Sequence, residues 1–369
     1  MTVSTDPAPA PPALQGSAAP ARPRDSALDA LRMLAVLLMI ASHTTRLIAW
    51  DERRAWSRFS LLIEPLTASL FLILVGASLV HSWRSAQGRG RAAWFRKQGL
   101  RAAALWATSC VFYCLEEGFR LPDALTMSGI LATIAYAGVM GMLMVASPRP
   151  AAVLSVVAAA LIGTHVWLDH RGLQMFVLNA GNSPLLPLFL FACLGALGAL
   201  ALERGPALRL SLAALAVAAL ALILHRHGFA EVFSKPLGRY ETIRTLIRTQ
   251  GEIRTQVEIP YYNLRPILVP MIASLCILLY AAFSLLRPLL DRAQRYLLPM
   301  GRRSLDVYIL HLSLLAILVV SGGKRPIKFG WQGDAVILAV IAVCWGWVIG
   351  RDTWAARRKV ASGLPPRAG

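Results

Sequence analysis

The sequence predicts an all-α integral membrane protein, a bundle of about ten transmembrane helices. The first reason is bulk composition: 56% of residues are hydrophobic and 15% charged, where soluble domains carry roughly 45–50% and about 25%. The second is patterning. Apolar runs near 20 residues alternate with short charged stretches, and a run of ~18 or more is long enough to cross a bilayer as a helix. A chain of 369 residues has room for two or three soluble domains, but this spacing argues for one continuous bundle.

Residues 1–24 are rich in Pro, Ala and Ser. They bury too little apolar surface to fold and lack the short apolar core of a signal peptide, so a retained disordered tail is expected. The bundle is expected over 25–350, with spans near 28–48, 61–82, 98–115, 125–146, 150–168, 184–203, 207–225, 266–286, 304–320 and 334–350. Pro148 and Pro150 leave the span at 150–168 only a tight connection to its predecessor. Residues 351–369 read as a basic cytoplasmic tail.

Basic residues set the expected orientation. With the amino terminus inside, 22 of the 38 Lys and Arg fall on the cytoplasmic side, leaving 16 outside. The acids divide 7 inside and 12 outside, out of 19. Arg84–Arg101 carries six basic residues and no acid, and Arg287–Arg303 five against one. Glu116, Glu117 and Asp123 fall outside. An even span count places both termini in the cytoplasm, and the expected location is a multi-pass position in a bacterial inner membrane.

The net charge of +19 invites a nucleic-acid reading. No basic cluster accompanies a soluble binding fold, however, and the charges lie where anionic lipid attracts them, so no nucleic-acid partner is expected. All five cysteines (Cys110, Cys114, Cys193, Cys276, Cys344) fall inside expected spans. They read as packing residues rather than a disulfide framework, and two thiols alone at 110 and 114 do not make a metal site.

The longest connection, about 226–265, is expected outside. It repeats Ile-Arg-Thr at 243–245 and 253–255. Two readings stand open: an amphipathic helix lying on anionic headgroups, or a lid that holds an acidic or glycan acceptor.

Chemistry concentrates in the first span. Ionisable groups within a span cost ~2.5–3.5 kcal/mol near its centre on insertion scales, yet this one holds Asp29, Arg32 and His43. Asp29 and Arg32 are three apart and can pair. From Arg32 to His43 is 11 residues, three turns plus ~20°, so both point the same way with ~16 Å between them along the axis. One face thus offers a fixed cation inside, suited to phosphate, and a titratable imidazole outside, suited to general-base work. Equally open at this point, Arg32 snorkels to the interface beside Asp29, and His43 is an interfacial hydrogen-bonding residue. Tyr308 and His311 also share a helix side.

The pattern Leu28-Asp29-Ala30-Leu31-Arg32 followed after ten residues by His43 resembles the opening signature of membrane acyltransferases. The acyltransferase-3 family and the related heparan-α-glucosaminide N-acetyltransferase-like proteins share it. Three further stretches resemble the second group more closely: Phe71-Leu-Ile-Leu-Val-Gly76-Ala-Ser-Leu, Leu185-Leu-Pro187-Leu-Phe-Leu-Phe with Gly195, and Ser304-Leu-Asp-Val-Tyr308-Ile-Leu-His311. The chain departs from the pattern at Met33, where Gly is usual, and at Arg96 and Arg101, five apart where many acyltransferase-3 members have Arg-x-x-Arg.

The resemblance implies transfer of an acyl group, usually acetyl, from a cytoplasmic acyl-CoA to an extracytoplasmic sugar or glycolipid, without a metal. It gives His43 the catalytic role, activating the acceptor or carrying the acyl group. Glu64, at the outer start of the second span, orients His43 or is a simple helix-end carboxylate. Arg32 and its basic neighbours meet the CoA phosphates. Tyr308 and His311 contact the donor's thiol end, or else only tie helices together. The rival is a polytopic transporter or flippase, but the chain shows no convincing internal repeat.

Overall fold

In the computed structural model of the protein the described residues are 25–45, 55–87, 90–117, 119, 123–126, 129–173, 178, 184–202, 205–227, 268–321 and 331–361, with six residue pairs between 238 and 264. The amino-terminal tail expected at 1–24 lies outside them.

The described chain is helical at each of the ten expected places. Helix α1 is Ser26–Thr45, α2 Ala55–Ala86 and α3 Arg91–Glu117, followed by a single turn, α4, at Asp123–Thr126. Next come α5 (Ile130–Val145), α6 (Pro150–His170), α7 (Leu185–Leu202) and α8 (Pro206–His227). The last five are α9 (Leu268–Leu285), α10 (Arg287–Leu297), α11 (Pro299–Arg302), α12 (Ser304–Ser321) and α13 (Trp331–Ala361). By length and composition, however, six helices suffice to cross a membrane, or seven if the bent pair α9 and α10 is one span. The count of about ten is therefore not confirmed. The shortfall has physical causes. Ile130–Val145 has 16 residues, ~24 Å of helix against a hydrocarbon core of ~30 Å. Helix α3 has the length, but Arg91, Arg96, Lys97 and Arg101 take up its first three turns.

Helix α1 lies at the centre, packed on α2, α9, α10, α11, α12 and α13. Its apolar window is 61% buried, against 22% for α6, 11% for α8 and 28% for α13, which turn most of their surface outward. The most extensive pairing is α2 with α7, and two glycines explain it. A Cβ on Gly76 would stand 1.9 Å from the Ala192 carbonyl oxygen, and one on Gly195 2.0 Å from that of Ile73. Small residues on both helices let the backbones touch, as lipid-embedded helices require when hydrophobic burial cannot drive association. Gly301 does the same for α11, where a Cβ would meet the Asp29 carbonyl oxygen at 2.3 Å.

Pro150 opens α6 at its first turn, where its missing N–H costs nothing. That accounts for a second helix directly after the Ser147–Arg149 turn. Helix α10 bends 73° from α9. Between α8 and α9 the described residues pair as strands and do not form the surface helix considered above. Gly238–Arg239 pairs antiparallel with Asn263–Leu264, Thr242–Ile243 with Ile259–Pro260, and Arg248–Thr249 with Glu252–Ile253. The stretch 238–264 is rich in β-branched Ile, Thr and Val, a composition that favours paired strands over helix. Helix α13 continues through Ala361, so the basic segment after 350 begins as helix.

Candidate active site: two polar clusters along one helix

At the start of α1 the Asp29 carboxylate, 1% exposed, stands between two guanidinium groups. Arg32 Nη1 donates to one of its oxygens, and Arg302 Nε donates to the other at 3.2 Å. Arg32 Nη2 donates to Ser78 Oγ at 2.8 Å, and that hydroxyl donates to the Leu74 carbonyl one turn back. Asp29 and Ser78 take two of the five N–H donors of Arg32, and 24% of its side chain stays exposed. Arg101 is near enough to feel the Arg32 charge. Two guanidiniums on one buried carboxylate leave a surplus of positive charge, which suits a phosphorylated ligand.

This cluster is braced from its own end of the bundle. Asp25 accepts from Arg287 at 2.9 Å and from the Tyr280 hydroxyl at 3.0 Å, and also caps the Ala27 N–H. Arg302 reaches Gln294 at 2.7 Å. Arg303 pairs with Asp352 and Asp306, and Arg351 with Asp306 at 2.8 Å. The start of α1, the segment 287–303 and residue 351 therefore lie at one end, as the expected topology requires of them.

Further along the same face of α1, His43 Nδ1 stands 2.9 Å from His311 Nε2. The rings are 5.2 Å apart between centroids and inclined by 17°. His311 is fully buried, and its Nδ1 lies 3.0 Å from the Val307 carbonyl oxygen. Tyr308 sets its ring edge-on to both, at 6.4 Å from His43 and 5.3 Å from His311, and Phe112 of α3 lies against Tyr308. The register follows from Gly301. Its contact with Asp29 and Met33 sets α11 and α12 beside α1 running the same way. Ten residues from 301 and about a dozen from the Asp29–Met33 turn each climb ~15–18 Å, so His311 reaches the level of His43.

Of the expected site residues, Arg32 and His43 lie where the helical spacing puts them, and Tyr308 and His311 join His43. Glu64 lies within α2, but its side chain is outside the described residues. Arg302 and Ser78 were not foreseen. The five cysteines are free thiols. Among the described residues no group of three or more His, Cys, Asp or Glu is placed to hold a metal ion.

Clustered guanidiniums thus lie at one end of α1, and an imidazole pair shared with α12 lies toward its other end. A family described as an acyltransferase domain matches residues 25–351. The chain belongs to the acyltransferase-3 family. The match spans Met33 and the altered Arg spacing. Its limits embrace both clusters of this membrane acyltransferase, from Asp25 beside Arg287 to Arg351 beside Asp306. No curated protein matches the chain.

Proposed function

We propose that the protein transfers an acyl group, acetyl by preference, from a cytoplasmic acyl-CoA to a hydroxyl or amine of an extracytoplasmic sugar or glycolipid. The observation that carries this reading is the position of the two clusters, 11 residues apart on one face of the most buried helix. Arg32 anchors the phosphates or pantetheine of the donor, backed by Arg302 and Arg101. The donor's arm then runs up α1 toward His43, with Tyr308 and His311 flanking the thioester. The His43 imidazole takes the proton of the acceptor hydroxyl as its oxygen attacks the thioester carbonyl. The carbon–sulfur bond breaks, and the departing thiolate takes the proton from the imidazolium. Acyl-CoA and alcohol thereby give ester and CoA thiol.

The test is at His43. A positioned general base contributes ~10²–10⁴-fold, so His43→Ala should remove most acyl transfer while inserting normally. His43→Gln keeps hydrogen bonding but cannot take a proton, and it should fail as Ala does. Near-normal transfer by the Gln variant would leave His43 a structural hydrogen-bonding residue.

A further inference from the structure

We infer that His311 is a positioning residue for His43: it fixes the tautomer of His43 so that Nε2 is the nitrogen that receives the proton. This deepens the catalytic reading above and rests on it. The Val307 oxygen can only accept, so the His311 Nδ1 facing it at 3.0 Å carries a proton. A neutral imidazole has one N–H, which makes His311 Nε2 an acceptor. His43 Nδ1, 2.9 Å away, must then donate, and the lone pair of His43 resides on Nε2. Which ring nitrogen acts as base is set by the hydrogen bond the other makes.

The surroundings hold this chain in place. His311 is fully buried, so water does not compete for its nitrogens. Val307 is one turn behind it on the same helix and is buried too, so the carbonyl moves with the ring it orients. The Tyr308 edge closes the side of both rings. When His43 becomes an imidazolium, its Nδ1–H bond to His311 becomes charge-assisted, and such bonds are roughly twice as strong as neutral ones. In serine hydrolases an aspartate does this for the catalytic histidine, and its loss lowers turnover ~10⁴-fold through the wrong tautomer. Here a second, buried imidazole takes that place, with a main-chain carbonyl as the last link.

The test uses full-length protein labelled with ¹⁵N-histidine, with the His43 signals assigned by their loss in His43→Gln. Wild-type His43 should show a protonated Nδ1 and a bare Nε2. His311→Gln retains an acceptor oxygen and should keep that pattern, with acyl transfer within about tenfold of wild type. His311→Leu fills the space without an acceptor. It should release His43 toward the Nε2-protonated form and lower turnover by roughly 10²-fold or more. His311→Ala is the substitute if the Leu protein does not insert. His43→Gln with His311→Leu should be no worse than His43→Gln alone, since groups acting as one unit are non-additive. A bare Nδ1 in wild-type His43, or an unchanged tautomer in the Leu variant, overturns the inference. Those signals do not depend on turnover, so they separate its failure from failure of the acyltransferase mechanism.

Discussion

Asp29 is the residue on which the basic cluster turns. A buried carboxylate that holds two guanidiniums is costly to remove, because it leaves charges uncompensated, at about 3–5 kcal/mol for a broken buried pair. Arg32, by contrast, lies at the rim of that cluster. Arg32→Ala should therefore weaken acyl-CoA binding by roughly 10- to 150-fold, from a charge-assisted contact of ~1.5–3 kcal/mol, with thermal stability little changed. Asp29→Asn should do the reverse in emphasis, lowering the melting temperature and freeing Arg32 and Arg302 from their shared anchor. Parallel titrations with acetyl-CoA and thermal unfolding in detergent check both. Unchanged donor affinity in Arg32→Ala would return Arg32 to an interfacial role. The sequence made Asp29, Arg32 and His43 legible because helical spacing within one span is fixed by geometry. It could not show Arg302 or Ser78 as their partners, or His311 beside His43, because nothing in spacing within one helix reports which distant helix lies against it.

Among the elements, the α2–α7 pair holds the scaffold on which Ser78 meets Arg32. Gly76 and Gly195 each place a backbone where a Cβ would need to be. Gly76→Ala or Gly195→Ala should thus force the helices apart at a cost of about 1–3 kcal/mol or more. Each is expected to lower the melting temperature in detergent and, by moving Ser78, to reduce donor affinity as well. A melting temperature equal to wild type would mean the two backbones have room to spare. The sequence located every long helix, since apolar runs are the strongest local signal a chain carries. At the described residues between 238 and 264 the strand pairs differ from the amphipathic helix that was one of two open readings there, and their β-branched Ile and Thr favour the pairing. In the helical reading, charge pattern outweighed the propensity of the residues bearing it.

At the scale of the whole molecule the account rests on direction. The ion pairs gather residues 25, 287, 303 and 351 at one end of the bundle, and the imidazole pair lies toward the other. From the basic-residue bias we propose that the first of these ends is cytoplasmic, where the proposed reaction needs its donor. The most direct measurement uses sealed, inverted membrane vesicles from cells expressing the protein, with vesicles from non-expressing cells as the blank. Labelled acetyl-CoA added to the exposed cytoplasmic face should move its label into saccharide or lipid material protected in the lumen. Vesicles carrying His43→Gln should leave that material unlabelled. Label that reaches the lumen equally with His43→Gln, or that transfers only when the donor is supplied from the opposite face, would contradict the account.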